Sequence, residues 1–351
     1  MIKDHESKIR IQVSGILVIL SSYRALKFSA HYQKHTVDPR TLGRILRIEG
    51  LIPFTVSAIL IGFVATLWEA GSGAVSWDLF IAAAFAALLI HIDAHLWNDI
   101  MDFELDRQEK SRETGRERPL VNGWATVNDY RRLSAVITFV VVALAAYLTV
   151  FRIWTPVLFV IGFLFDYGYN HPRIALAYRP FTEWYIFPWL VVVVTVTVVY
   201  AATGIFSLLA FILSLLHGMT VTCFVVSMMR RDVNSDRLGG KCTSSVRSPG
   251  LPHSTIYGII TMFVAVLMVF PLALVLGNMY LAYGIVLVTV FIAGINTVLG
   301  AQIDQLCARA MYSVFTGFEA NANKLMLQQV GASIVHVIIL CLILAVFGGI
   351  A

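Results

Sequence analysis

The residues best suited to chemistry lie in one run, His91-Ile-Asp-Ala-His95-Leu-Trp97-Asn98-Asp99-Ile-Met101-Asp102-Phe103-Glu-Leu105-Asp106-Arg107. At 100° per residue, His91, His95, Asn98, Asp99, Asp102 and Asp106 fall within an arc of roughly 100° on one helix face. Carboxylates stacked at i, i+3 and i+7 repel one another unless positive charge sits among them. Trp97, Met101, Phe103 and Leu105 keep the other faces apolar, so the stripe is expected to point into a cavity. Hard carboxylate oxygens suit magnesium, which takes a few carboxylates and completes its octahedron with water and phosphate oxygens. His91 and His95 have the i, i+4 spacing of a zinc pair, but no Glu stands where HExxH would put it. They are expected to be satisfied polar groups deeper in the same cavity.

A second acidic pair follows later, in Met228-Met229-Arg230-Arg231-Asp232-Val-Asn-Ser-Asp236-Arg237-Leu-Gly239-Gly240-Lys241. Asp232 and Asp236, at i, i+4, share a face for as long as the helix continues, and the two glycines end it. Alone, this pair suits a basic loop with incidental salt bridges equally well. Together, two carboxylate clusters suit two magnesium ions around one diphosphate, with Arg and Lys neutralising the remaining oxygens.

The elements that must position these residues cross a membrane. Of 351 residues, 58% are apolar and 13% charged, against roughly 45–50% and 25% in ordinary globular chains. No soluble core of this size hides that much apolar surface. Nine spans are expected, at 49–68, 78–100, 132–150, 153–168, 183–203, 205–228, 254–276, 279–300 and 326–349. The fourth is short and carries Pro156. Residues 9–22 form a further apolar run, too short to span comfortably, which is read as an amphipathic segment on the membrane surface. The expected architecture is therefore all-α and polytopic: an N-terminal cytoplasmic segment at 1–45, then a nine-helix domain at 46–351 around a central cavity.

Charge orients this arrangement. With nine spans, the N-terminus and the loops after spans 2, 4, 6 and 8 share one side and carry all but one of the 26 Lys and Arg residues, Arg152 being the exception. That side is expected to be cytoplasmic. Both acidic clusters lie there. The net charge of +5 invites a nucleic-acid partner, but the basic residues sit between apolar runs, so the partner is the lipid bilayer. Four cysteines, Cys223, Cys242, Cys307 and Cys341, are too scattered for a disulfide framework.

The arrangement resembles the UbiA superfamily of intramembrane prenyltransferases. Its NDxxDxxxD motif appears as Asn98, Asp99, Asp102 and Asp106, and its DxxxD motif as Asp232 and Asp236, followed by Arg237 and Lys241. Arg118-Pro119-Leu120-Val-Asn122-Gly123 looks like the family's RPLxSG turn, with Asn122 in place of Ser. The resemblance covers residues from about 45 to the end and implies a prenyl diphosphate substrate and magnesium dependence. Within the family, the loop Tyr169-Asn-His171-Pro172-Arg173-Ile-Ala-Leu-Ala-Tyr178-Arg179-Pro-Phe-Thr-Glu183 looks like 1,4-dihydroxy-2-naphthoate prenyltransferases at Leu-Ala-Tyr-Arg and at Glu183. Its Tyr-x-His-Pro is similar to chlorophyll-synthase-like branches. Arg173 stands where the 4-hydroxybenzoate branch has the lysine of YxxxK, and Met228 and Met229 stand where the naphthoate branch has asparagines.

Asp99, Asp102, Asp106, Asp232 and Asp236 are thus the expected catalytic, metal-binding carboxylates, with Asn98 ligating metal or orienting a neighbour. Arg118, Arg237 and Lys241 are expected to hold diphosphate, Arg173 and Arg179 to bind substrate, and Tyr169 and Tyr178 to face the allylic cation. The expected reaction is ionisation of a prenyl diphosphate and transfer of its chain to an aromatic or quinone-precursor acceptor. A terpene cyclase would use the same ionisation without an acceptor. A cation-coupled transporter is the reading outside enzymology, although carboxylates gathered at one membrane face beside Arg and Lys favour diphosphate over a travelling ion.

Overall fold

The computed structural model describes residues 39–70, 75–109, 118–171, 173–312 and 318–347. The amphipathic run expected at 9–22 lies outside them. All described regular structure is helical. We name the long helices α1 (Ser57–Ala70), α2 (Trp77–Met101), α3 (Val127–Phe151), α4 (Thr155–Asn170), α5 (Thr182–Thr203), α6 (Leu208–Arg231), α7 (His253–Leu267), α8 (Val269–Leu276), α9 (Met279–Tyr312) and α10 (Phe318–Phe347).

Every expected span falls on one of these helices, but not every helix has a span's length. Seven single helices are long and apolar enough to cross a membrane, counting α1 with the π-helical turn Ile52–Val56 before it. The pair α7–α8, bent by 41°, makes an eighth if taken as one span. α4 stands at the fourth expected position with 16 residues, about 24 Å of helix, which is short of the bilayer's apolar thickness of roughly 30 Å. In contrast, α9 and α10 run to 34 and 30 residues, well past the spans expected for them.

Local chemistry explains several boundaries. Thr126 and Asp129 form a capping box at the start of α3, each side chain accepting from the other's backbone N–H. Ser207 caps α6 by accepting from the N–H of Ala210. Arg152 donates to Ala201 O at 3.0 Å, placing a cation at the C-terminal end of α5, where the helix dipole favours it.

Two apolar cores build the bundle. One gathers α2, α3 and α5 with part of α1 and includes Ile45 from the helix Pro39–Leu46. The other gathers α6 to α10 with the rest of α1. α5 and α6 pack closely between them because Gly218 presents no side chain: a Cβ there would stand 2.8 Å from Pro188 O. Buried polar groups also cross the bundle. His217 lies 2.8 Å from Ser57 Oγ and 3.3 Å from His336, whose other ring nitrogen lies 3.0 Å from Thr289 Oγ1. Ser57 donates onward to Pro53 O and Thr289 to Ile285 O.

Candidate active site

The first acidic run crosses the end of a helix without losing its face. Asn98 and Asp99 occupy the last turn of α2, and Asp102 is its C-cap, its N–H donating to Asn98 O at 2.9 Å. A short helix, Phe103–Glu109, restarts at once, with the N–H of Asp106 donating to Asp102 O at 2.8 Å. Asp99, Asp102 and Asp106 are all buried. A buried carboxylate needs a counter-charge or donors, and each has a cation from a different segment: Arg47 pairs with Asp99, Lys241 with Asp102 at 2.7 Å, and Arg118 with Asp106. The hydroxyls of Tyr130 and Tyr178 donate to Asp99 (3.3 Å) and Asp102 (3.0 Å). Asn98 donates to Asp102 at 3.3 Å, orienting that carboxylate.

The second run repeats the plan at the end of α6. Asp232 is the C-cap, and Asp236 lies in the short helix Val233–Leu238. Asp236 is buried, whereas the Asp232 side chain is 33% exposed and takes two hydrogen bonds from Arg231. Arg231 also reaches Asn323 on α10. Gly240, at φ +76°, turns the chain back in a conformation that favours glycine. Gly239 lies so close to the first run that a Cβ there would stand 2.6 Å from Leu105 Cδ1.

Lys241 joins the two runs. Its ammonium is 2.7 Å from Asp102 and 4.0 Å from Asp236, it lies 5.2 Å from the centre of the Tyr178 ring, and its own N–H donates to Asp236 O at 2.8 Å. Burial works against the ammonium, but Asp102 and Asp236, with Asp232, outweigh it and hold its pKa above the ordinary lysine value. Burial, with Arg47 nearby, draws Arg118 below its ordinary value against the pull of Asp99, Asp102 and Asp232. Burial and the Asp102 carboxylate push the Tyr178 phenol up, so it stays a hydrogen-bond donor.

The donor set suits a hard divalent ion, since it is five carboxylates at one end of the bundle, four of them buried. The arrangement differs from a closed metal site. Among the described residues, no three His, Cys, Asp or Glu side chains come together closely enough to share an ion. Arg and Lys hold these oxygens instead.

The sequence profile of the UbiA prenyltransferase family matches residues 58–321. The chain belongs to this family. It is an intramembrane prenyltransferase. No protein of curated function matches it. Its fold is similar to that of a UbiA homologue from Archaeoglobus fulgidus bound to GPP and Mg2+, with a TM-score of 0.56 and 13% identity over 84% of this chain and 98% of that one. An apo UbiA homologue from Aeropyrum pernix K1 gives 0.53 and 19% over 82% and 98%. A structure concerning digeranylgeranylglyceryl phosphate synthase in membranes gives 0.50 and 14% over 86% and 97%.

In this UbiA-family chain the expected residues separate into two groups. Asn98, Arg118, Tyr178 and Lys241 touch the carboxylates directly. Tyr169 packs edge-on against Phe187, with ring centres 5.5 Å apart. Arg173, Arg179 and Arg237 are exposed, and among the described residues none is ion-paired with a carboxylate. Three contacts have no counterpart in the sequence reading: Arg47 on Asp99, Tyr130 on Asp99, and Glu183, which accepts from the backbone N–H and hydroxyl of Ser244. Arg47 counts in the sequence only as a topogenic charge, and Tyr130 sits in the first turn of an apolar span with no motif around it. Glu183 stands out in the sequence only as a likeness to one branch of the family.

Proposed function

We propose that this prenyltransferase ionises a prenyl diphosphate at the cytoplasmic end of the bundle and passes the isoprenoid chain to an aromatic or quinone-precursor acceptor. The observation that carries the reading is Lys241, whose ammonium faces Asp102 of the first motif and Asp236 of the second at once. The two motifs therefore serve one substrate-sized site. That the A. fulgidus homologue is found with GPP and with DMAPP, each with Mg2+, supports the substrate class and the metal.

In this reading Asp99, Asp102, Asp106, Asp232 and Asp236, with Asn98, would hold two magnesium ions. Magnesium, when bound, supplies positive charge to the departing diphosphate. The chain's own part is positional. Arg118 and Lys241 offer donors to diphosphate oxygens, Arg118 through a planar fork, and Arg173, Arg179 and Arg237 are exposed cations for the outer oxygens. Tyr130 and Tyr178 keep the Asp99 and Asp102 carboxylates oriented. Tyr169 and Phe187 pack edge-on against each other, and such rings would give a cationic chain end π-density and exclude water. The N-terminal segment up to about residue 45 and the active-site loops face the cytoplasm in this scheme, with residues 46–351 as the catalytic domain.

The test is incubation of the purified enzyme and Mg2+ with diphosphates of several chain lengths, with and without aromatic acceptors. Prenylated aromatic product is expected. Hydrocarbon released at equal rate without any acceptor would identify a cyclase instead, and no diphosphate release from any substrate would sink the proposal.

A further inference from the structure

A second group of intramembrane acids lies apart from the motifs. Asp93 of α2 and Asp166 of α4 are both buried and line one cavity of about 30 Å³, together with Trp97, Tyr167, Asn170 and His171. Asp93 is six residues before Asp99, so it points about 240° around the helix from it and away from the motif face. Ionisable residues at membrane depth are expensive and need a partner. Here the contrast with the motif carboxylates is sharp. Each of those is held by Arg or Lys, whereas among the described residues no cation pairs with Asp93 or Asp166.

The polar atoms around this cavity are short of positive charge. Asn170 commits its amide N–H group to Asp166, at 3.0 Å to Oδ1 and 3.2 Å to the backbone O. Its amide oxygen can only accept, and neither Asn170 Oδ1 nor Asp93 Oδ1 has a hydrogen-bond partner although both are buried. The Trp97 indole N–H is spent on Ser134 at 3.0 Å, and Ser134 in turn hydrogen-bonds the Asp93 carboxylate, leaving Asp93 Oδ1 without a partner. A proton shared between the two carboxyls would leave the amide oxygen unsatisfied. A water beside such a proton could donate to the remaining oxygens but would leave one carboxylate charge uncompensated. A divalent cation satisfies all three oxygens and neutralises both acids, and the cavity has the volume for one small ion or water-sized particle.

We propose that Asp93, Asp166 and Asn170 form a second divalent-cation site, separate from the catalytic carboxylates, that ties α2 to α4. Two carboxylates and an amide oxygen are its donor set. Fixing α2 to α4 on this side sets the roll of α2, and with it the direction in which Asn98, Asp99 and Asp102 point on the opposite side.

The test uses full-length protein in lipid nanodiscs, stripped by chelator and titrated with Mn2+ alone, with no diphosphate present. Bound Mn2+ is counted by electron paramagnetic resonance in the wild type, in Asp93→Asn/Asp166→Asn, and in the motif control Asp102→Asn/Asp236→Asn. The first variant is expected to bind one ion fewer per chain than the wild type. The motif control is expected to keep that ion and to gain thermal stability when Mn2+ is added. If Asp93→Asn/Asp166→Asn does not fold, Asn170→Leu replaces it and should weaken that ion at least tenfold. Wild-type stoichiometry in the double variant, unchanged affinity in Asn170→Leu, or a motif control without bound Mn2+ would overturn the proposal.

Discussion

Asp102 and Asp236 come from segments 134 positions apart in the chain, yet one ammonium faces both. If they serve one diphosphate, their losses are not independent. Asp102→Asn and Asp236→Asn should each nearly abolish turnover, and the double variant should be little worse than either. Modest, additive losses in single-turnover assays would reduce these acids to structural partners of Lys241. Exhaustive chelation should stop diphosphate release, with recovery on adding Mg2+. Arg118→Lys is a finer probe, because it keeps the charge but loses the fork. Release should fall by about tenfold or more, since one charge-assisted hydrogen bond is worth roughly 1.5–3 kcal/mol, and wild-type kinetics would assign Arg118 to topology alone. At this scale the sequence was most informative where residues are close neighbours: spacing at i, i+3 and i+4 makes a face visible. Arg47 and Tyr130 reach Asp99 from 52 and 31 positions away, and no local period encodes such a meeting.

Helices α6, α7 and α9 meet at a buried ion pair near the second motif. Arg230 lies 3.3 Å from Asp304, whose other oxygen accepts from the N–H and hydroxyl of Thr255 at 3.0 and 2.8 Å. Asp304→Asn removes the charge but keeps the shape, leaving Arg230 buried without its counter-ion. It should lower stability by about 3–5 kcal/mol, read as a fall in melting temperature in detergent. Arg230→Met/Asp304→Leu should recover most of that, because two buried charges leave together. No recovery would mean that the pair positions α6 rather than merely satisfying itself. Gly239 shows how an element can be legible in kind but not in purpose. In the sequence it reads as a helix breaker, while in the fold it also lets the second motif approach Leu105 of the first.

Across the whole molecule, apolar length put helix at every expected position, because burying backbone in lipid requires continuous helix, although seven of these helices, or eight with α7–α8 as one, have a span's length. Ends were less visible. α9 continues through Gln302, Asp304, Gln305 and Arg309, and nothing in hydropathy shows a helix that carries on past the bilayer into polar surroundings. α4 is short for a complementary reason: Pro156 fits its first turn, and the chain leaves it at His171 to form the loop that brings Tyr178 to Asp102. The orientation itself is testable. Arg237→Cys, at an exposed position, should react with an impermeant maleimide in inside-out vesicles and not in right-side-out ones, and the reverse pattern would invert the scheme.

The three cations on the first motif also act as cross-links. Arg47, Arg118 and Lys241 fasten the chain before α1, the loop between α2 and α3, and the loop after α6 to a single acidic face. If these carboxylates held a metal, Arg47, Arg118 and Lys241 would lose their partners, and the oxygens of a diphosphate would offer them new ones. Metal and diphosphate should therefore bind with positive linkage, each raising the other's affinity by the same factor. Metal alone should loosen the three segments, giving faster amide hydrogen exchange around residues 118–125 and 239–243, and addition of an unreactive diphosphate should slow that exchange again.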